Sequence, residues 1–318
     1  MSDSIAAPGD RAVVTIGVFD GVHLGHQALI ERTRKAASRD GAVATVVTFD
    51  PPPVALFAPP REPFQITPRR EKTALMAELG IERALILPFT ERLAAKQARE
   101  FLETVLLSEL KLTGVIVGHD FSFGADREGD ARLLESLGSE LGFWVEIEPP
   151  VERAGARISS TRIRQHLRRG EVLLASELLG RRFTVEGQVV PGQGMGGRLL
   201  VPTANLEVEV DQMLPAPGVY IVEATTTATG GSFAGVANVG LAPTVGAGSE
   251  RLVEVHLLGY HGDLVGENLR VAFADWLREA KRFPDLTSLR RAIEDDIQVA
   301  KRRFAGGLQN RLVSHTAM

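Results

Sequence analysis

Gly17-Val18-Phe19-Asp20-Gly21-Val22-His23-Leu24-Gly25-His26 is the stretch on which the reading of this chain turns. Before it runs Val13-Val14-Thr15-Ile16, apolar and β-branched, which reads as a buried strand. After it, Ala28, Leu29, Thr33 and Ala36 give helical apolar spacing from about Gln27 through Ala37. A strand, a glycine-rich turn and a helix start leave backbone N–H groups without intrahelical partners, and an anion can bind them. Gly21 and Gly25 carry no Cβ, so a phosphate can approach the chain there. His23 and His26 lie three apart in one turn, close enough for both rings to serve one small volume and donate to a phosphate as its charge grows.

Two plainer readings compete. The histidines with Asp20 could form a metal site, but no third nitrogen or sulfur ligand is evident and the chain has no cysteine. The pair could simply cap a helix. Neither accounts for glycine at 17, 21 and 25 as well as a phosphate does.

Composition sets the frame around this turn. The chain has 318 residues, 44% hydrophobic and 24% charged, which fits a soluble protein of about two domains. A net charge of −4 gives no general reason to expect nucleic-acid binding. The absence of cysteine removes disulfides, thiolate catalysis and zinc–thiolate sites, and suits the reducing cytoplasm. Met1 to Arg11 has neither the apolar core nor the basic start of a signal peptide, and the first ten residues read as a loose tail. No apolar run approaches the ~20 residues of a membrane span. Oligomeric state is not legible.

Outward from the turn, Ala42–Phe49 is a second buried strand, stopped by Asp50-Pro51-Pro52-Pro53. A proline-rich loop to Pro68 precedes a helix over Arg69–Leu79 that ends at Gly80. Strands are predicted over Ala84–Phe89, Gly114–Gly118 and Phe143–Ile147, with helical segments over Ala94–Glu109 and Ala131–Leu141 between them. Continuous apolar strands alternating with helices indicate a parallel sheet covered on both faces. Ligands bind such sheets beyond the carboxyl ends of the strands, where the opening turn and the loops after Phe49 and Gly118 all fall.

Two further stretches of this half carry chemistry. Gly118-His119-Asp120-Phe121-Ser122-Phe123-Gly124 puts two phenylalanines in a glycine-bounded loop. They either fold back into the core or offer apolar contact to a flat ring. Ile158-Ser159-Ser160-Thr161-Arg162-Ile163-Arg164 opens a helix to about Arg169. One hydroxyl would cap it; three in a row before two arginines suit a triphosphate.

After a helix over Leu173–Gly180 the texture changes. Phe183–Val190, Val219–Ala224 and Phe233–Val239 alternate, which indicates a small antiparallel sheet or barrel. Ser288–Phe304 is an amphipathic helix with Leu289, Ile293, Ile297 and Ala300 on one face. Gly192-Gln193-Gly194-Met195-Gly196-Gly197 satisfies the dinucleotide pattern G-x-G-x-x-G, but Pro202 stands where the required helix should run. That reading is rejected, although the backbone N–H groups around Gly194 and Gly196 remain suited to phosphates. In the strand Leu252–His256, Val253, Val255 and Leu257 share one face, and Glu254 and His256 the other.

These stretches carry a resemblance. The G-x-F-D-G-x-H-x-G-H turn, the segment Val117–Gly124 and I-S-S-T-x-I-R are similar to the FAD synthetases of bacteria. Pro202-Thr203-Ala204-Asn205, Pro217-Gly218-Val219-Tyr220, Gly235–Gly240, Leu252–His256 and Asp263-Leu264-Val265-Gly266 resemble riboflavin kinases in the same order. Together they cover about Val13 to Phe304 and imply a bifunctional riboflavin kinase and FMN adenylyltransferase. The implied fold is a Rossmann-like α/β nucleotidyltransferase domain over 11–180, then a small antiparallel β-barrel with a terminal helix over 183–305. The resemblance implies that Gly17, Phe19, Asp20, Gly21, Gly25, Ser159, Ser160 and Thr161 line the nucleotide, with His23, His26 and Arg164 catalytic. Asp120, Phe121 and Phe123 would face the flavin. In the barrel it implies Thr203 and Asn205 as ligands of Mg²⁺, Gly194 and Gly196 beside the nucleotide, and Glu254 as the base. ATP, FMN and riboflavin would be the substrates.

The kinase half departs from the family pattern. Met195 stands where an arginine is usual, Leu200 where a glycine precedes P-T-A-N, and Ala242 before Pro243-Thr244 where Arg or Asn is usual. Pro52 replaces the histidine of D-P-H-P in the first half. An adenylyltransferase with a barrel that binds flavin without phosphorylating it, and a non-enzymatic flavin or nucleotide sensor, are the alternatives.

Overall fold

A computed structural model describes residues 10–58, 62–191, 203–226, 230–243, 249–281 and 283–307. The chain divides into two compact units. One is the chain up to Glu62 together with Thr67–Ser160; the other is Pro63–Ile66 together with the chain from Thr161 onward.

The first unit opens with β1 (Arg11–Ile16), the glycine turn, α1 (Leu24–Asp40) and β2 (Val43–Phe49). A short α2 (Pro53–Phe57) interrupts the predicted proline loop, its start suited to a proline whose missing N–H is no loss there. Then come α3 (Arg69–Glu78) and β3 (Arg83–Leu87). The single helix expected over 94–109 is broken into α4 (Glu91–Ala94), α5 (Ala98–Phe101), a π-helical turn over Leu102–Leu106 and α6 (Leu107–Glu109). β4 (Lys111–Gly118) leads into a small hairpin of β5 (Ser122–Phe123) and β6 (Gly129–Asp130), then α7 (Ala131–Leu141) and β7 (Trp144–Glu148). A second hairpin, β8 (Glu152–Arg153) and β9 (Ala156–Arg157), follows.

The main sheet has the order β3-β2-β1-β4-β7, and all its pairs are parallel. Ala12–Ile16 of β1 are buried throughout, because helices cover both faces of a parallel sheet. Strand order reverses at β1: its neighbours β2 and β4 are reached in opposite directions, which opens a crevice beyond their carboxyl ends. The Gly17–His23 turn leaves β1 at that point, and the Gly118–Phe123 loop leaves β4 beside it.

The second unit begins in α8 (Ser160–Arg168), whose first residue still belongs to the first unit, and α9 (Val172–Leu179). Six antiparallel strands then close a barrel in the order β10-β11-β14-β13-β12-β15. They are β10 (Thr184–Val190), β11 (Ala204–Val208), β12 (Gly218–Thr226), β13 (Ser232–Pro243), β14 (Ser249–Leu257) and β15 (Asn268–Glu279). Val185, Leu206, Val222, Val253, Val255 and Phe273 are buried within it. Helix α10 (Leu286–Ala305), capped by Asp285, packs through Ile297, Ala300 and Phe304 on Val219, Val236 and Ala274. The fold class expected from the sequence is the one observed.

Candidate active sites

The glycine turn is held on every side. Helix α1 starts three residues earlier than its apolar spacing suggests, with His23 as N-cap: the His26 backbone N–H donates to His23 Nδ1 at 3.3 Å. With Nδ1 accepting, the neutral His23 ring carries its proton on Nε2. The His23 and His26 rings stack, with centroids 3.6 Å apart and planes at 15°. The capping residue is thus also a member of the histidine stack. His23 is buried, so the flat contact with His26 fixes the orientation of its ring, while the bond to Nδ1 fixes the tautomer.

Glycine has two different reasons here. Gly21 has φ +88°, a conformation that L side chains rarely adopt. At Gly25 a Cβ would lie 3.2 Å from the His23 ring, so this glycine makes room for the histidine stack. Phe19 and Asp20, expected beside the nucleotide, turn inward instead. The Phe19 ring is in the core, edge-on to His26 at 5.1 Å. The buried Asp20 carboxylate accepts the Thr67 N–H at 3.2 Å, while the Asp20 carbonyl accepts the Ser160 hydroxyl at 2.8 Å. Their side chains therefore build the turn.

Beyond β4, Phe123 is buried among Phe101, Ala131 and Leu134, so the packing alternative describes its ring. Phe121 is half-buried and stacks on Phe123 with centroids 5.4 Å apart. Asp120 is exposed and paired with Arg157 of β9 at 2.8 Å. Sequence reasoning missed a third aromatic group. Phe57 of α2 is 69% exposed, edge-on to Phe89, which in turn packs edge-on against Phe49 at the end of β2. The signal was an apolar residue inside a proline-rich loop. In the second unit, the Arg164 Nε donates to the Phe64 carbonyl at 2.9 Å and its guanidinium lies over the Phe64 ring; Thr161 is exposed.

The barrel presents a second site. Register places Asn205 of β11 beside Glu254 of β14, Glu254 beside Asn238 of β13, Asn238 beside Val219 of β12, and Val219 beside Arg278 of β15. Side chains paired across strands share a face, so this is one row across five strands. The row lies opposite the buried Val253 and Val255. Asn238 Nδ2 donates to the Glu254 carboxylate at 3.1 Å. A cavity of about 870 Å³ opens between this face and α10, lined by Thr203, Asn238, Glu254 and His256 on one side and Leu289 and Ile293 on the other. Arg278 makes a two-pronged pair with Asp296 of α10 at 2.7–3.1 Å, so the helix is fastened across the cavity. Gly194, Gly196, Met195 and Leu200 lie outside the described residues, as does the Ala242 side chain.

Comparison with known proteins decides the family of the chain. A family model described as FAD synthetase matches residues 6–162, and one described as riboflavin kinase matches 179–304. The bifunctional riboflavin kinase/FMN adenylyltransferase of Pseudomonas fluorescens is 40% identical across 91% of this chain and 92% of its own. The protein of that description from Escherichia coli K12 is 39% identical across 94% and 95%. This chain belongs to the bifunctional riboflavin kinase/FMN adenylyltransferase family. A crystal structure of a macrolide-efflux protein from Streptococcus pneumoniae superposes with a TM-score of 0.84 at 30% identity, over 93% of this chain and 96% of that one.

As a riboflavin kinase/FMN adenylyltransferase family member, the chain divides its two matches close to its two structural units. Among the described residues no group of three or more His, Asp or Glu could hold a metal ion. No helix is long and apolar enough to cross a membrane.

Proposed function

We propose that this protein makes FAD from riboflavin in two ATP-dependent steps, one on each unit. The observation that carries the adenylylation step is the stacked His23–His26 pair at the start of α1, at the point where strand order reverses. An FMN phosphate oxygen attacks the α-phosphorus of ATP; the new P–O bond forms as the bond to pyrophosphate breaks, and pyrophosphate leaves with that electron pair. No covalent enzyme intermediate is required, so position and charge stabilisation set the rate. His23 and His26 donate to the phosphates, and Ser159 and Ser160 hold the triphosphate. Phe57, Phe121 and Asp120 are proposed as the flavin contacts.

In the barrel, the Glu254 carboxylate takes the proton of the riboflavin 5′-hydroxyl as that oxygen attacks the γ-phosphorus of ATP and ADP leaves. Asn238 orients that carboxylate. Thr203 and Asn205 are the proposed Mg²⁺ ligands. The donor set fits: hard oxygen ligands beside one carboxylate suit a cation that shares its shell with nucleotide phosphates. When bound, Mg²⁺ neutralises charge on the transferred phosphoryl group.

One incubation tests the proposal. The purified chain with riboflavin and MgATP should yield FMN and then FAD by chromatography. Failure to convert supplied FMN into FAD overturns the adenylylation reading, and failure to form FMN overturns the kinase reading.

A further inference from the structure

Five carbonyl groups of the glycine turn, from Val18, Phe19, Asp20, Val22 and His23, are held by named donors. Phe19 O accepts the Val22 N–H at 3.1 Å, Asp20 O the Ser160 hydroxyl, Val22 O the Gln27 side-chain amide at 2.9 Å, and His23 O the Gln27 N–H at 2.9 Å. Val18 O receives two donors, the Thr48 hydroxyl at 3.2 Å and the Lys72 ammonium at 3.1 Å. Among these donors Lys72 alone carries a charge.

Lys72 is an unusual place for a charge. It is 8% exposed on the inner face of α3, and burial of a lysine is costly unless its ammonium is used. Burial pushes its pKa below the ordinary value, while the carboxylates of Asp20 and Asp50 oppose that shift. The turn it supports is strained: Phe19 and Val22, neither of them glycine, have φ of 54° and 40°. Such backbone persists only when its surroundings over-determine it. A donor on Val18 O directly precedes the first strained residue.

We propose that Lys72 is a positioning residue of the adenylylation site, holding the Val18 carbonyl so that the strained turn keeps its N–H groups toward the transferred phosphate and adding a positive charge beneath it. This rests on the adenylyltransferase reading. Lys72 does not touch substrate; it acts through the backbone of Val18 to His23. A phosphate that gains charge in the transition state benefits from a fixed cation behind the turn, and one that is merely bound benefits less.

The test uses the full chain and supplied FMN. Lys72→Met keeps the stem and removes the donor and charge; Lys72→Gln keeps a donor without charge; Lys72→Arg keeps both; Thr48→Val removes the neutral donor from the same carbonyl. Lys72→Met and Lys72→Gln should lower kcat for FAD formation by about 10²-fold, the scale of one preorganised stabilising donor, with KM for FMN within about threefold. Lys72→Arg should recover to within about tenfold of the parent, and Thr48→Val should lose less than about fivefold. If Lys72→Met does not fold, Lys72→Gln and Lys72→Arg, each with its melting temperature, give the same comparison. Parent-like kcat in a folded Lys72→Gln overturns the inference, as does equal loss in Lys72→Gln and Thr48→Val. Absence of FAD formation by the unsubstituted chain overturns instead the reading on which it rests.

Discussion

Asn238 donates to the carboxylate of Glu254 at 3.1 Å, and the two are register partners on β13 and β14. The carboxylate is thereby aimed along the barrel face and into the cavity under α10. Glu254→Gln keeps this side chain's shape and removes its basicity. Riboflavin phosphorylation should fall by about 10²–10⁴-fold, the usual contribution of a positioned base. FMN adenylylation in the same preparation should be unchanged, since none of its proposed groups lies on β14. Product chromatography from riboflavin and from FMN separates the two.

His26→Ala should reduce FAD formation from FMN by about 10²–10³-fold, the effect of losing one pre-placed donor. It also removes the stacking partner of His23, so the loss should be at least as large as for His26→Gln. Riboflavin phosphorylation should persist. Near-normal FAD synthesis in the alanine variant would take the opening turn out of the mechanism.

Phosphorylation of riboflavin should be slower than adenylylation of FMN in the unmodified chain. Met195 stands where a cation is usual near the phosphates, and charge stabilisation dominates phosphoryl transfer. Leu200 stands where a glycine gives backbone freedom. Restoring an arginine at 195 and a glycine at 200 should raise the kinase rate and leave FAD formation from FMN alone. Equal rates for the two half-reactions in the parent would show that these positions do not limit the kinase.

Whether the domain division expected at 180–183 or one at Ser160/Thr161 bounds the barrel's folding unit can be tested with two shortened chains. Ile163, Leu167, Val172, Leu178 and Leu179 of α8 and α9 are buried, the Ala216 N–H bonds to the Leu167 carbonyl, and Phe183 N–H to the Ser176 hydroxyl. Each such buried side chain contributes about 1.5–3 kcal/mol. A chain starting at Thr161 should therefore melt at a higher temperature than one starting at Phe183. Equal melting temperatures would put the two helices outside the barrel's folding unit.

The architecture is legible in the chain's local patterns. Period-two and continuous apolar runs specify strands directly, because burial of alternate or all side chains is a local pattern. The turn from Gly17 to His26, the Ser159–Arg164 helix start and the Glu254 face were legible for the same reason: each is one short stretch of chain with a fixed geometry. What the sequence could not assign was the orientation of individual rings and charges. Phe123 reads as either a core residue or a ligand contact and its ring is buried, as is that of Phe19, because an aromatic side chain in a glycine-rich turn can go either way until its neighbours are placed. Tertiary packing buries Lys72 of α3 under a turn fifty-four residues earlier. Asn205, Glu254 and Asn238 come from three strands, and only strand order and register put them in one row. Those relationships are long-range; they exist in no window of the sequence and appear only when the sheet closes.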